Sequence, residues 1–334
     1  MTSSGAGNSL SAPTVEFRSA EMGTLEDDVL GAVAYGPGLD LADPRILNVG
    51  LAPLEGTAHV EIWRAGGPVE VRSSGRLRYA RGDGFLFGSI EIDEDEHDGL
   101  VAASEAAYRE ISRTLGSVEE RHLLRVWNFV DSINEGAGDE ERYKQFCLGR
   151  ARGLDWLSEE ALPAATAVGR RDGLRTLQVC WLSGRLPGQP LENPRQTCAY
   201  RYPRRYGPAP PSFSRAIVAH GRRLWISGTA SITGSESRHP GDVDGQFRET
   251  LRNLERLLEA AASLDGEGGP ARQVQGTVLK AYLRDRAAAH AVGARLAAAL
   301  PGVRQLLLLE ADICREELVI EIECVCDQPV PAGC

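Results

Sequence analysis

The amino-acid sequence predicts an α+β protein made of two repeats of one unit, each a mixed sheet with two helices packed on one face. Three observations carry that expectation. The chain has 334 residues, more than one hydrophobic core usually organises, so two cores are expected. Its hydrophobic and charged fractions, 42% and 25%, are those of a globular protein with enough apolar side chains to fill both. The order of strand-like and helix-like segments also recurs in the second half, weakly in identity but consistently in pattern.

In the first half, GFLFGSIEI (84–92) reads as a strand leading through an acidic turn to a helix from about Asp98. That helix places Leu100, Ala103, Ala107, Ile111 and Leu115 on one face, and Gly116 is its expected stop. HLLRVWNFV (122–130) is a second strand, residues 139–156 a second helix, and TLQVCWLSG (176–184) a returning strand. The second half repeats the order. RLWISGTASI (223–232) is the strand, and residues 241–261 are a helix with Val243, Phe247, Leu251, Leu254 and Leu258 at helical spacing and Asp242 as N-cap. A strand at 274–283 and a helix at 286–300, stopped by Pro301-Gly302, precede buried strands at 305–310 and 317–325. The Pro/Gly-rich stretch SGRLPGQPLENPRQ (183–196) is the expected linker, dividing an N-terminal unit (15–190) from a C-terminal one (191–334). Residues 1–14, rich in Ser and Gly, are expected to form a disordered tail.

Composition excludes several classes of function. No run approaches the roughly 18 apolar residues of a membrane span, and the N-terminus lacks the basic start and apolar core of a secretory signal, so a cytoplasmic protein is expected. Net charge is −10, with no basic stripe interleaved with aromatics, which argues against a nucleic-acid partner. Seven cysteines form an odd set without CxxC pairs or His at zinc spacing, so reduced thiols are expected rather than a disulfide framework or a metal site. The acidic turn EIDEDEH (91–97) lacks the Gly and terminal Glu of a calcium loop and reads as solvated. No phosphate loop or dinucleotide fingerprint is present, and no cofactor is expected.

The second half resembles the RidA-like (YjgF/UK114) family through PPSFSRAIVA (210–219), ISGTASI, the GDV-x2-Q-x3-TLRNLERLL helix and VIEIE (319–323). Four further stretches, RVWNFVDSIN (125–134), RYKQFCLGRA (142–151), YRYPRRYGPAPPSFSRA (200–216) and ADICREELVIEIE (311–323), narrow the resemblance to the two-repeat chorismatase and 3-hydroxybenzoate synthase family. The resemblance implies two fused RidA-like (chorismate-mutase-like) repeats that remove the enolpyruvyl group of chorismate without metal or organic cofactor. Chorismate is then the expected small-molecule partner, and the chain is expected to act as a monomer, with a trimer as the alternative.

Alternation in VIEIE sends Glu321 and Glu323 to one face and Leu318, Ile320 and Ile322 to the other. Taken alone, such a strand would be an ordinary solvated sheet face. The resemblance instead places the family's acid on Glu321. A carboxyl group among Ile313 and Leu318 would be desolvated and could keep its proton near neutrality, as needed to protonate the enolpyruvyl group. Glu323 is left as structural. The resemblance also implies product choice: 3-hydroxybenzoate formers carry Cys where this chain has Cys314, and Gly where it has Gly228, whereas the hydrolases carry Ala at the first position and ISATA around the second. Alone, Cys314 would be a core thiol and Gly228 a tight turn. The implied route is protonation by Glu321, displacement at ring C3 by the substrate's own 4-hydroxyl to an arene oxide, and opening with loss of a ring proton, Cys314 assisting.

A dianionic substrate requires cations, for which Arg150, Arg205, Arg215 and Lys280 are the candidates, with Tyr143, Tyr202 and Tyr206 as hydrogen-bond donors. Arg201 and Arg204 read as a solvated basic loop, and the role of Arg304 is left open. The alternatives are a hydrolase giving 3,4-dihydroxycyclohexa-1,5-diene-carboxylate, an imine deaminase, and a binding protein for small acids.

Overall fold

Long-range strand pairing gathers most of the chain into two seven-stranded sheets and one of four strands in this computed structural model, which describes residues 12–21, 23–36, 41–54, 59–219, 223–265, 277–300 and 302–327. The first large sheet has the order Asp312–Ile313, Ala164–Arg170, His122–Asp131, Thr176–Gly184, Phe85–Asp93, Leu77–Gly82, Glu70–Ser74. The second runs Gln189–Leu191, Ala216–Ala219, Arg223–Ala230, Ile320–Asp327, Thr277–Leu283, Val303–Glu310, Ala52–Pro53. In each, one parallel pair is joined through a helical crossover, α2 (Arg142–Gly153) in the first and α4 (Ala289–Ala299) in the second.

Both halves thus follow one plan. Helix α1 (Gly99–Ser117) buries all five residues of its expected face, and with α2 it covers the first sheet around Trp181 and Val126. At Gly149 of α2 a Cβ would lie 2.2 Å from the carbonyl oxygen of Val101, so the two helices meet there backbone to backbone. Helix α3 (Val243–Ala262) begins where expected: Asp242 accepts a 2.9 Å hydrogen bond from the Gly245 N–H. With α4 it covers the second sheet through Phe247, Leu254, Leu257 and Leu296. The opposite faces of both sheets share a core with the four-stranded sheet, which contributes Tyr35 and Trp63 to meet Trp127 and Trp225.

Several local expectations change. The described residues of 14–82, a stretch to which no element was assigned, hold seven strands: the four-stranded sheet (Thr14–Ser19, His59–Arg64, Val29–Tyr35, Ile46–Val49), an edge strand of the second large sheet and two of the first. Ala164–Arg170 is a further unassigned strand. The acidic turn is not simply solvated: Glu94 is buried and accepts both guanidinium nitrogens of Arg142, at 2.9 and 2.7 Å, tying the turn to the start of α2. Helix α4 is shorter than expected because a 3-10 turn, Arg286–Ala288, takes its first residues. Most of the expected tail, residues 1–11, lies outside the described residues, as do 274–276 and Pro301, and a strand already begins at Thr14.

The halves also exchange edges. Asp312–Ile313, from the second half, pairs with Val168 and Gly169 of the first sheet, while Ala52–Pro53 pairs with Leu309 and Glu310 of the second. Residue 190 falls inside the strand Gln189–Leu191, which pairs with Ala216–Val218.

Candidate active site

Strand Ile320–Asp327 lies in the middle of the second sheet, between Arg223–Ala230 and Thr277–Leu283. Alternation turns Ile320, Ile322, Cys324 and Cys326 toward α3 and α4, and Glu321 and Glu323 the other way. That other face is covered, not solvated: each carboxylate is 4% exposed.

The two carboxylates meet opposite surroundings. Glu323 accepts hydrogen bonds from Arg125 (2.6 Å), the Trp127 indole (2.8 Å) and the Thr166 hydroxyl, and it pairs with the Lys280 ammonium at 2.8 Å. Burial opposes its charge, but Lys280, Arg125 and these hydrogen bonds outweigh burial and pull the carboxyl down to about 2. Among the described residues the Glu321 carboxyl has no hydrogen-bond or ion-pair partner. Burial first, then the negative charge of Glu323, push its carboxyl up to about 8, against the weaker pull of Arg125 and Arg215. Glu321 therefore holds its proton at neutral pH, as a general acid must.

Gly228 makes room for that carboxyl. A Cβ there would lie 1.9 Å from Glu321 Oε1. The strand register also shifts between Ile226 and Thr229, a bulge that re-aims the backbone beside the acid. The Gly228 N–H donates to Thr166 Oγ1 at 3.0 Å, and the Ala165 N–H to Ser227 Oγ at 2.9 Å, so strand Ala164–Arg170 of the first sheet is latched onto the second at this point.

Around Glu321 opens a cavity of about 280 Å3, lined from both halves of the chain. Nine of the ten expected residues border it: Glu321, Cys314 and Gly228 beside the acid, Arg150, Arg205 and Arg215 as cations, and Tyr143, Tyr202 and Tyr206. Arg150, on α2 beside the tight Gly149 contact, is 3% exposed, and two of its guanidinium nitrogens have no partner. A buried, partly unsatisfied guanidinium lining a cavity is a ready site for a carboxylate. Arg215 donates to the Tyr202 hydroxyl at 2.8 Å and to the Thr197 carbonyl at 3.1 Å, and its Nε is likewise without a partner. Arg205 is different. Its side chain is 59% exposed and pairs at the rim with Glu236. Arg201 and Arg204 pair with Glu159 and Asp139 on the surface, as expected of a basic loop.

Lys280, expected as a substrate ligand, does not border the cavity. It points into the protein between Glu61 (2.6 Å) and Glu323 (2.8 Å), so its charge is already matched. Arg304 lies elsewhere too, donating to the Val15 carbonyl at 3.2 Å. Cys314 follows the exchanged strand Asp312–Ile313, and the Asn134 side chain holds the Ile313 carbonyl at 3.0 Å. Burial and then the neighbouring Glu321 raise the Cys314 thiol above its ordinary value, so it stands as a neutral S–H and not a thiolate.

Two cavity-lining residues, Arg315 and Thr166, and Arg125 behind the cavity escaped the sequence reading. Arg315 lines the cavity, stacks 4.1 Å from the Tyr206 ring centroid and donates to the Ser235 carbonyl at 2.9 Å; its position next to Cys314 was the available signal. Thr166 sits on an unassigned strand, and Arg125, though inside RVWNFV, had no partner visible in sequence.

The family model described as Chorismatase FkbO/Hyg5-like, N-terminal, matches residues 61–183. A protein named Chorismatase from Streptomyces hygroscopicus is 35% identical over 330 residues, covering 94% of each chain. This chain belongs to the chorismatase family. A protein named 3-hydroxybenzoate synthase, also from Streptomyces hygroscopicus, is 31% identical over 315 residues, covering 89% of this chain and 91% of that one. A crystal structure of a chorismatase superposes with a TM-score of 0.83 at 33% identity, over 95% of this chain and 98% of the other. The chorismatase architecture therefore extends across both halves, including the N-terminal strands that the sequence reading left unassigned.

Proposed function

We propose that this chorismatase-family protein converts chorismate to 3-hydroxybenzoate and pyruvate, with Glu321 as the general acid. The observation that carries the reading is a buried carboxyl, pushed up to about 8 and without a partner, facing a cavity whose buried guanidinium groups at Arg150 and Arg215 have nitrogens to spare. The arginines would take the substrate carboxylates. Glu321 would give its proton to the enolpyruvyl group, making pyruvate a leaving group at ring C3. The substrate's 4-hydroxyl would displace it, releasing its own proton as the arene oxide closes, so that the proton given by Glu321 is replaced. Opening of that oxide with loss of a ring proton restores aromaticity, so chorismate divides into the two products with no water consumed.

Gly228 and Cys314 support the aromatic product over the diene. Gly228 lets the Glu321 carboxyl take the place a side chain would fill, and Cys314 offers a neutral, weakly polar S–H. Incubation with chorismate, followed by chromatography and ultraviolet spectra, tests the reading. Equal amounts of pyruvate and 3-hydroxybenzoate are expected. A dihydroxy diene acid as product would move the protein to the hydrolysing branch, and binding without pyruvate release would make it a receptor for small acids. Cys314→Ala is expected to lower the aromatic fraction of the product.

A further inference from the structure

Four charged side chains lie buried behind the cavity, outside the chemistry described above. Arg125 (1% exposed), Glu323 (4%), Lys280 (4%) and Glu61 (2%) alternate in sign, each meeting the next at 2.6 to 2.8 Å. They come from all three large elements of the fold: Glu61 from the four-stranded sheet, Arg125 from the first seven-stranded sheet, Lys280 and Glu323 from the second. Their remaining valences are filled by Tyr35 and Trp63 on Glu61, by Trp127 and Thr166 on Glu323, and by the Trp127 ring beneath both cations. Burying four charges is costly, and apolar residues in such places are often as stable or more so. Stability alone is therefore a weak reason for this arrangement.

We propose that this charge-balanced quartet commits its own two cations to Glu323 and Glu61, leaving neither to pair with Glu321, so that Glu323, Lys280 and Glu61 are positioning residues for the acid. The proposal rests on the reading of Glu321 as the acid. The groups facing Glu321 are Glu323 on its own strand, Arg125 from His122–Asp131, Arg215 from the segment before Ala216–Ala219, Tyr282 opposite it on Thr277–Leu283, and Cys314 after Asp312–Ile313. Arg125 and Arg215 are thus the groups of opposite sign that act on Glu321, and the quartet to which Arg125 belongs sums to zero. Thr166 completes the link, because one hydroxyl donates to Glu323 and accepts from Arg125 and from the Gly228 N–H, which borders the Glu321 carboxyl.

The quartet's neutrality dictates the test. Glu61→Gln removes one negative charge and keeps an acceptor oxygen, leaving the quartet positive; Lys280→Met removes one positive charge and leaves it negative. The Glu321 carboxyl would be followed by 13C NMR or infrared difference titration of the full chain, with Glu321→Gln identifying its signal. Titration is expected to move to lower pH in Glu61→Gln and to higher pH in Lys280→Met, by roughly one unit each. Opposite shifts cannot arise from loosened packing, which would move both variants alike. Identical titration in both variants and the native chain, or shifts of one sign, would overturn the proposal. If Lys280→Met does not fold, Glu61→Gln decides alone. Full turnover of chorismate by Glu321→Gln would end the reading of Glu321 as the acid, while the titration would still report on the quartet.

Discussion

Glu321 and Glu323 stand two residues apart on one strand, face the same way and are equally buried, yet one carboxyl is pushed up to about 8 and the other drawn down to about 2. The difference lies in neither the strand nor the depth. It lies in what other segments bring: Arg125, Lys280, Trp127 and Thr166 converge on Glu323, and a cavity opens on Glu321. One strand thus carries a paired anion and, on the proposed reading, a proton donor, and the surroundings decide which is which.

The same substitution at both positions should separate the roles most widely. Glu321→Gln removes the proposed proton donor, so kcat for pyruvate release from chorismate is expected to fall about 100- to 10,000-fold. In the native protein the rate should hold below pH 8 and decline as pH rises through about 8, because the acid must carry its proton. A coupled pyruvate assay across that range checks both statements. Glu323→Gln removes a partner from two buried cations, and breaking such a pair costs about 3–5 kcal/mol of stability. Urea unfolding of the two variants would compare them directly, and equal destabilisation would break the contrast.

How far this contrast was legible in the sequence follows from the same geometry. Alternation along VIEIE put both carboxylates on one face, and amphipathic spacing located α1 and α3, because those patterns are local. Resemblance to a known family pointed to Glu321. What could not be read was the company each residue keeps. Lys280, expected at the substrate, is held inside by Glu61, which lies in a region of short, fully buried strands such as Val29–Tyr35 that show no alternation. Arg315 reaches the site because it follows Asp312–Ile313, which crosses into the first sheet, and Thr166 because its strand meets the second sheet at Gly228, long-range contacts that no window of sequence records.

A smaller effect is expected where the two surroundings meet. Gly228→Ala would place a methyl 1.9 Å from the present position of Glu321 Oε1, so the carboxyl must swing away while the backbone stays. Misplacing a reacting group by about 1 Å costs up to about 100-fold, and a kcat loss of roughly 10- to 100-fold is expected, with a lower aromatic fraction in the product. An unchanged rate and product would mean that Glu321 acts from a different rotamer, and the account of Gly228 would fall.

The finest test uses stability instead of rate, and it turns on sign. The Glu321 carboxyl is raised in the folded chain from the ordinary 4.5 to about 8, so between those values the folded state keeps a proton that the unfolded state has lost. Native stability should therefore drain away as pH rises through that window, by at most about 1.4 kcal/mol per pH unit. Glu321→Gln lacks this liability, and its advantage over the native chain should grow from pH 5 to pH 8 and then level off. Glu323, lowered to about 2, contributes in the opposite sense: its stabilisation is complete above 4.5 and disappears as pH falls toward 2. Subtracting the unfolding free energies of each variant from those of the native chain should yield two curves that bend in different pH windows and in opposite directions. Curves bending together would mean that the two carboxyls titrate as one coupled pair, and the division of labour along this strand would have to be redrawn.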